Sequence, residues 1–261
     1  LLNATGGALK PEKCFWYYVD YECTDSEWSY AESAPHEMRI TNPDGSTSPI
    51  IQEHVTQSKK TLGIHDSPSG GNDAHLTYIQ EKVRTWVGRM INGHLPSHMA
   101  WVAYRHQLWP GVRYGLGTMT NDLEVTNDLL HKEDYRMLNV LGVVRSVTKG
   151  LRRLHTTFGG FGLFSLPVEQ LICRVNMLMQ HYHTSTNLSR KLDASLRYLQ
   201  LQLGTPHNPF LLDYDTWGHL APLSWAKMLW RTLHHFDIHL YMSYPSIAPP
   251  RERDLVLMEA F

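Results

Sequence analysis

The segment His65-Asp66-Ser67-Pro68-Ser69-Gly70-Gly71-Asn72 divides the chain into two kinds of sequence. It is a loop by composition, because serine, glycine, proline and asparagine each favour turns for their own steric or hydrogen-bonding reasons. Before it, short runs of aromatic and β-branched residues suit extended strands. After it, apolar residues recur at three- and four-residue steps, the period of a helix with one buried face. A chain built this way belongs to the α+β class: a small antiparallel β-rich N-terminal part, then a mainly α-helical region.

Within the first part, the stretch from Ala4 to Tyr21 predicts three things in succession. Gly6-Gly7 ends a helix, since glycine reaches the left-handed conformation that helix ends use. Lys10-Pro11-Glu12-Lys13 forms a turn, and Cys14 to Tyr21 forms a strand with Lys13 at its head. Trp28-Ser29-Tyr30 is a second short strand candidate. Met38-Arg39-Ile40-Thr41 and Ile50-Ile51-Gln52-Glu53 flank Asn42-Pro43-Asp44-Gly45-Ser46 and read as a hairpin. Gln57 to Ile64 follows as one further strand, carrying Lys59 and Lys60.

In the second part, Asn72 or Asp73 caps a helix through Leu76, Ile79, Val83, Trp86, Val87, Met90 and Ile91, and Asn92-Gly93 ends it. Pro96 opens a second helix that Pro110-Gly111 closes, giving an antiparallel helical hairpin. Thr120 or Asn121 opens a third helix, and an apolar segment runs from Tyr135 to Val144. Pro167 starts another helix. Thr186 caps the next, which Gly204 stops. A loop over 205–222 leads to a helix bearing Trp225, Leu229, Leu233 and Phe236, and Ile238 to Met242 is a late strand candidate.

Composition narrows the function. The hydrophobic fraction of 42% against 19% charged supports a packed core rather than disorder. No run reaches the ~20 apolar residues that span a bilayer, so no membrane partner is expected. A net charge of -1 argues against a protein that coats nucleic acid over its whole surface, while leaving room for a local basic face. Three cysteines without a Cys-x-x-Cys pair suit a reducing compartment. The first residue, Leu1, and the lack of a signal-peptide pattern suit an internal or C-terminal piece of a longer protein.

Several chemistries find little support. Sixteen histidines include the pairs His94/His98 and His235/His239, but no His-Glu-x-x-His pattern, and no metal ligands are expected. Gly159-Gly160-Phe161-Gly162 lacks the Gly-Lys-Ser/Thr of a phosphate loop and reads as a turn between packed elements. Serine hydrolysis has no Gly-x-Ser-x-Gly elbow. Asp213 and Asp215 fall in the loop, and no pair of aspartates lies on a strand. The basic set Arg145, Lys149, Arg152 and Arg153 places Lys149, Arg152 and Arg153 on one helical face, either solvated or set against phosphates.

Taken in order, these elements resemble the end of the palm and the thumb of retroelement reverse transcriptases. Gly7-Ala8-Leu9-Lys10-Pro11-Glu12-Lys13-Cys14 looks like the palm motif that follows the catalytic carboxylates. Lys59-Lys60-Thr61-Leu62-Gly63-Ile64 looks like the next motif, which grips the primer, and Asp73 to Arg113 is similar to the thumb. The resemblance implies a palm end with a hairpin insertion over 1–66, a thumb-like hairpin over 67–118 and a helical extension over 119–261. It implies that Lys13 neutralises or protonates the leaving pyrophosphate, and that Lys59, Lys60, Leu62 and Gly63 contact the primer, with Lys149, Arg152 and Arg153 as further nucleic-acid contacts.

The family's metal-binding carboxylates and fingers have no counterpart in this sequence. The resemblance therefore implies an RNA-directed DNA polymerase as parent, with Mg2+ as its cofactor, and a piece that holds no cofactor and is inactive alone. Its partners would be an RNA/DNA primer-template and the upstream palm and fingers, inside the cell in nucleus or cytoplasm. The competing readings are a non-enzymatic helical module that binds nucleic acid or protein, and the inactive product of a decayed element.

Overall fold

The computed structural model describes residues 10–25, 27–32, 36–42, 44–182 and 184–243. The architecture is α+β, with every described strand before residue 67 and every described α-helix after residue 72. Contacts divide the chain between His75 and Leu76 into two units. No helix among the described residues is long and apolar enough to cross a membrane.

The N-terminal unit is built from three small sheets. β1 (Phe15–Tyr17) lies parallel to β5 (Thr47–Glu53), with Phe15 opposite Ile51 and Tyr17 opposite Glu53. β4 (Met38–Thr41) pairs antiparallel on the other side of β5. Asn42, Asp44 and Gly45 close that hairpin as their turn chemistry predicts: the Asn42 amide nitrogen donates to the hydroxyls of Ser46 and Ser48, both at 2.8 Å. β2 (Tyr21–Thr24) and β3 (Glu27–Tyr30) form a second sheet, and β6 (Lys59–Thr61) and β7 (Ile64–Asp66) a third.

Two readings of this region change. The strand expected from Cys14 to Tyr21 breaks at Tyr18-Val19-Asp20, because Asp20 turns its carboxylate onto the Tyr21 N–H at 2.9 Å, competing with the ladder. The single strand expected from Gln57 to Ile64 is instead a hairpin reversing at Leu62-Gly63. The helix end expected at Gly6-Gly7 lies outside the described residues.

The C-terminal unit is helical and carries two hydrophobic clusters. The first is built from α1 (Asp73–Asn92), α2 (Ser97–Ala103), α3 (Trp109–Arg113), α5 (His131–Val140) and the start of α7 (Leu166–His181), with α4 (Leu123–Asp128) between α3 and α5 in the chain. Tyr104 is fully buried at its centre, among Trp86, Trp101, Trp109 and Phe164. Its hydroxyl accepts the Phe164 N–H at 3.1 Å, and burial pushes its pKa well above 10. The residues expected as thumb and those expected as extension thus share one core.

The second cluster joins the later turns of α7 to α8 (Asn187–Leu203) and α10 (Trp225–His235), with α9 (Tyr214–Trp217) in the preceding loop. α8 has the ends its sequence predicts. Thr186 accepts the Ser189 N–H, and Gly204 takes the left-handed C-cap. Leu192, Leu196, Leu199 and Leu203 face the core, each contributing about 2 kcal/mol of burial.

Two helical readings also change. Pro110 does not close the second helix. Tyr104–Leu108 forms a π-turn, in which the Trp109 N–H reaches the Tyr104 carbonyl, and α3 continues through Pro110 and Gly111. The widened turn relieves the clash that a proline ring makes in an α-helix. The late strand from Ile238 to Met242 does not form. No strand among the described residues lies beside it; the Ile238 N–H donates to Leu233, and Leu240 and Met242 pack on the second cluster.

Candidate nucleic-acid interface

The β6–β7 hairpin carries four of the predicted contact residues. Both loop positions have positive φ, +51° at Leu62 and +91° at Gly63, which the two-residue turns that match strand twist require. Glycine adopts this freely; leucine does so at a cost of roughly 1 kcal/mol. Leu62 is nonetheless 85% exposed, so its side chain recovers nothing by burial. A strained, solvent-facing apolar residue at a hairpin tip is a feature that function explains better than packing does.

The lysines at the hairpin base differ. Lys59 is committed to structure: its Nζ lies 2.5 Å from Glu53 Oε1, and Glu53 is buried. Nearby, the Tyr17 hydroxyl donates to the Gln57 carbonyl at 2.8 Å, and burial together with Glu53 raises the Tyr17 pKa, partly offset by Lys59. Lys60 stands opposite His65 in the ladder and is exposed. Lys59 therefore anchors the hairpin to the end of β5, while Lys60, Leu62 and Gly63 reach solvent.

Lys13 closes a single 3-10 turn over Pro11–Lys13, its N–H donating to Lys10 at 2.9 Å. The turn forms because Pro11 presets φ and has no N–H to lose. Lys13 is exposed at the start of β1. Since Tyr17 at the other end of β1 contacts Gln57, the fold sets Lys13 and the hairpin base at opposite ends of the β1–β5 pair.

Arg145, Lys149, Arg152 and Arg153 are brought together. α6 (Lys149–Arg153) is one short helix, capped by the Thr148 hydroxyl. Its last carbonyls are satisfied by the glycine segment: Gly162 donates to Leu154 at 2.9 Å and Leu163 to Arg152 at 2.9 Å. Gly160 must be glycine there, since a Cβ would stand 2.0 Å from the Leu154 carbonyl oxygen. Between α5, α6 and this segment lies a cavity of about 250 Å³ walled by all four cations, with His131, Asp134 and Tyr135.

The four cations do not have equal freedom. Arg152 donates to the carbonyls of Val147 at 2.7 Å and Arg145 at 2.6 Å, and its guanidinium lies 5.5 Å from the Tyr135 ring centre. It braces the 145–147 segment. Arg153 stands 3.8 Å from Asp134, too far for a hydrogen bond. Burial pushes Asp134 up to about 6 despite the opposing pull of Arg153, His131, Lys149 and Arg152.

One cluster escaped the sequence reading. Asp213 and Asp215, in the loop before α10, meet His234 near the end of that helix, with ligand atoms within 4.8 Å of one another. The His234 Nε2 lies 3.6 Å from Asp213 and 3.4 Å from Asp215. No His-Glu-x-x-His pattern is involved: α10 folds back across a 21-residue interval, from Asp213 to His234, that no local motif reveals. All three residues are exposed, and Asp213 also caps α9 through the Thr216 N–H.

No protein family, curated protein or solved structure matches this chain.

Proposed function

We propose that the chain is the primer-gripping part of an RNA-directed DNA polymerase of retroelement type, comprising the end of a palm, a thumb and a helical extension. The observation that carries this reading is the β6–β7 hairpin, which presents the strained, exposed Leu62-Gly63 tip and follows the small sheets and precedes the helices in the chain. A glycine beside an apolar tip lets backbone and side chain approach a sugar-phosphate strand closely. Lys60 supplies a phosphate contact, and Lys13 serves the leaving pyrophosphate in the assembled enzyme.

The N-terminal sheet supports the same reading from another side. Parallel strand pairs are ordinarily covered on both faces. Here Ile51 of the parallel pair is 61% exposed, Trp28 of the neighbouring antiparallel β2–β3 sheet is 73% exposed, and Val55 is the sole buried hydrophobic among the described residues of this unit. An upstream palm carrying the Mg2+-binding carboxylates would cover such a surface. A helical binding module is the second reading, favoured because both hydrophobic clusters draw only on residues after His75.

Fluorescence anisotropy with a labelled RNA–DNA primer-template tests the proposal. The purified chain should bind weakly, with affinity that falls as salt rises, and Leu62→Asp should abolish most of it. Binding that is unchanged in Leu62→Asp would favour the helical module. A salt slope near zero would refute a nucleic-acid role for both.

A further inference from the structure

The cavity between α5 and α6 has a second property. Its wall holds four permanent cations against one carboxylate, and among the described residues the side chains of two of the cations, Lys149 and Arg153, make no hydrogen bond, Arg153 standing 3.8 Å from Asp134. Arg152 and Arg145 are held by the backbone and by Asn139, respectively, so the pair with free donors is well defined. Lys149 and Arg153 sit at i and i+4 on one short helix, where neighbours face the same way. The remaining wall is mixed: Leu138, Leu163, Phe164 and Tyr135 give apolar and aromatic surface, and Asn127, Ser146 and Thr148 give further polar groups. The Arg153 side chain is 27% exposed, so a charge contact made there is screened less than one at an open surface.

We propose that this cavity is a phosphate site, in which Lys149 and Arg153 bind the phosphate of a nucleotide or nucleic-acid strand and Asp134 is the internal anion that the phosphate displaces from Arg153. The choice of phosphate among anions rests on the polymerase reading; the geometry of the cavity does not. Arg153 supplies a planar fork suited to two phosphate oxygens, and Lys149 supplies a point charge for a third. Asp134 acts against the ligand, and it is faced by His131 from its own helix, by Lys149, Arg152 and Arg153 from α6, and by Arg145 from the connecting segment. The 163–164 segment contributes only apolar groups to that wall. Burial already raises the Asp134 pKa to about 6; an incoming phosphate anion raises it further, and its binding takes up a proton. Affinity therefore falls as pH rises above that range.

Isothermal titration calorimetry of the purified chain with inorganic phosphate, a 5′-mononucleotide and a single-stranded oligonucleotide tests the site. Lys149→Ala and Arg153→Ala should each weaken binding about tenfold, the loss of a charge-assisted hydrogen bond. Arg153→Lys should restore part of the loss. Asp134→Asn should tighten binding and flatten its pH dependence, a gain that misfolding cannot mimic. A mononucleotide that binds tighter than the oligonucleotide identifies a free nucleotide as the source; the reverse order identifies a strand. Absence of saturable binding by all three ligands, or affinity unchanged in both Lys149→Ala and Asp134→Asn, overturns the proposal. Leu62→Asp should leave this titration unaffected, so failure here and failure of the primer grip are separate results.

Discussion

Asp134 allows a quantitative test by stability alone. Its pKa stands near 6 in the folded chain against 3.8 for an ordinary aspartate, with burial as the first cause. Between those values the folded chain binds more protons than the unfolded chain, so stability falls as pH rises. The contribution is complete below the unfolded value and is lost as pH passes through about 6. Two pKa units correspond to about 3 kcal/mol. The side chain is 39% exposed, however, and water screens the cost, so about 1 kcal/mol is the expected effect. The perturbation is Asp134→Asn, which keeps the shape and removes the charge. Urea denaturation followed by far-ultraviolet circular dichroism reports the helical unit. Between about pH 4 and about pH 7.5, Asp134→Asn should gain about 1 kcal/mol on the unaltered chain. Parallel stability curves for the two would refute the reasoning, whatever other groups titrate, because those groups are common to both.

Two further outcomes follow from buried charge and backbone strain. Arg174 is fully buried, and its guanidinium donates to Met119 at 2.7 Å and to Thr232 at 3.2 Å, while burial lowers its pKa to about 10. That shift represents about 3 kcal/mol, close to the worth of the hydrogen bonds it makes, so Arg174→Met should change stability by less than about 1 kcal/mol. Arg174→Ala should cost about 3 kcal/mol through the cavity it leaves; equal losses in a denaturant titration would contradict this balance. Leu62→Gly should stabilise the hairpin by about 1 kcal/mol while weakening primer-template binding. Faster amide exchange at Thr61 and Ile64 in that variant would show that Leu62 is not strained.

What could be read from the sequence was what is decided locally. α8 has its cap at Thr186 and its stop at Gly204 because both signals act within one turn. α1 ends at Asn92, beside Gly93, for the same reason. Pro110 misled because the π-turn that accommodates it depends on Tyr104, whose burial is a tertiary fact. The hairpin at Leu62-Gly63 was hidden because leucine rarely takes positive φ, so its sequence reads as continuous strand. Among the candidate contacts, the basic residues of α6 were visible as a charged face, but Arg152's engagement with two carbonyls was not. The meeting of Asp213, Asp215 and His234 depends on how α10 packs, and periodicity cannot report that.

The small sheets before His75 bury one hydrophobic side chain among their described residues, whereas the helices after it share two clusters. Cooperative unfolding needs a common core, so the chain should not melt as a single unit. Hydrogen exchange would then find the β-ladder amides opening well below the free energy of the helical clusters. A partner that covered Ile51 and Trp28 would register first as a merging of two transitions into one, before any catalytic activity was measured.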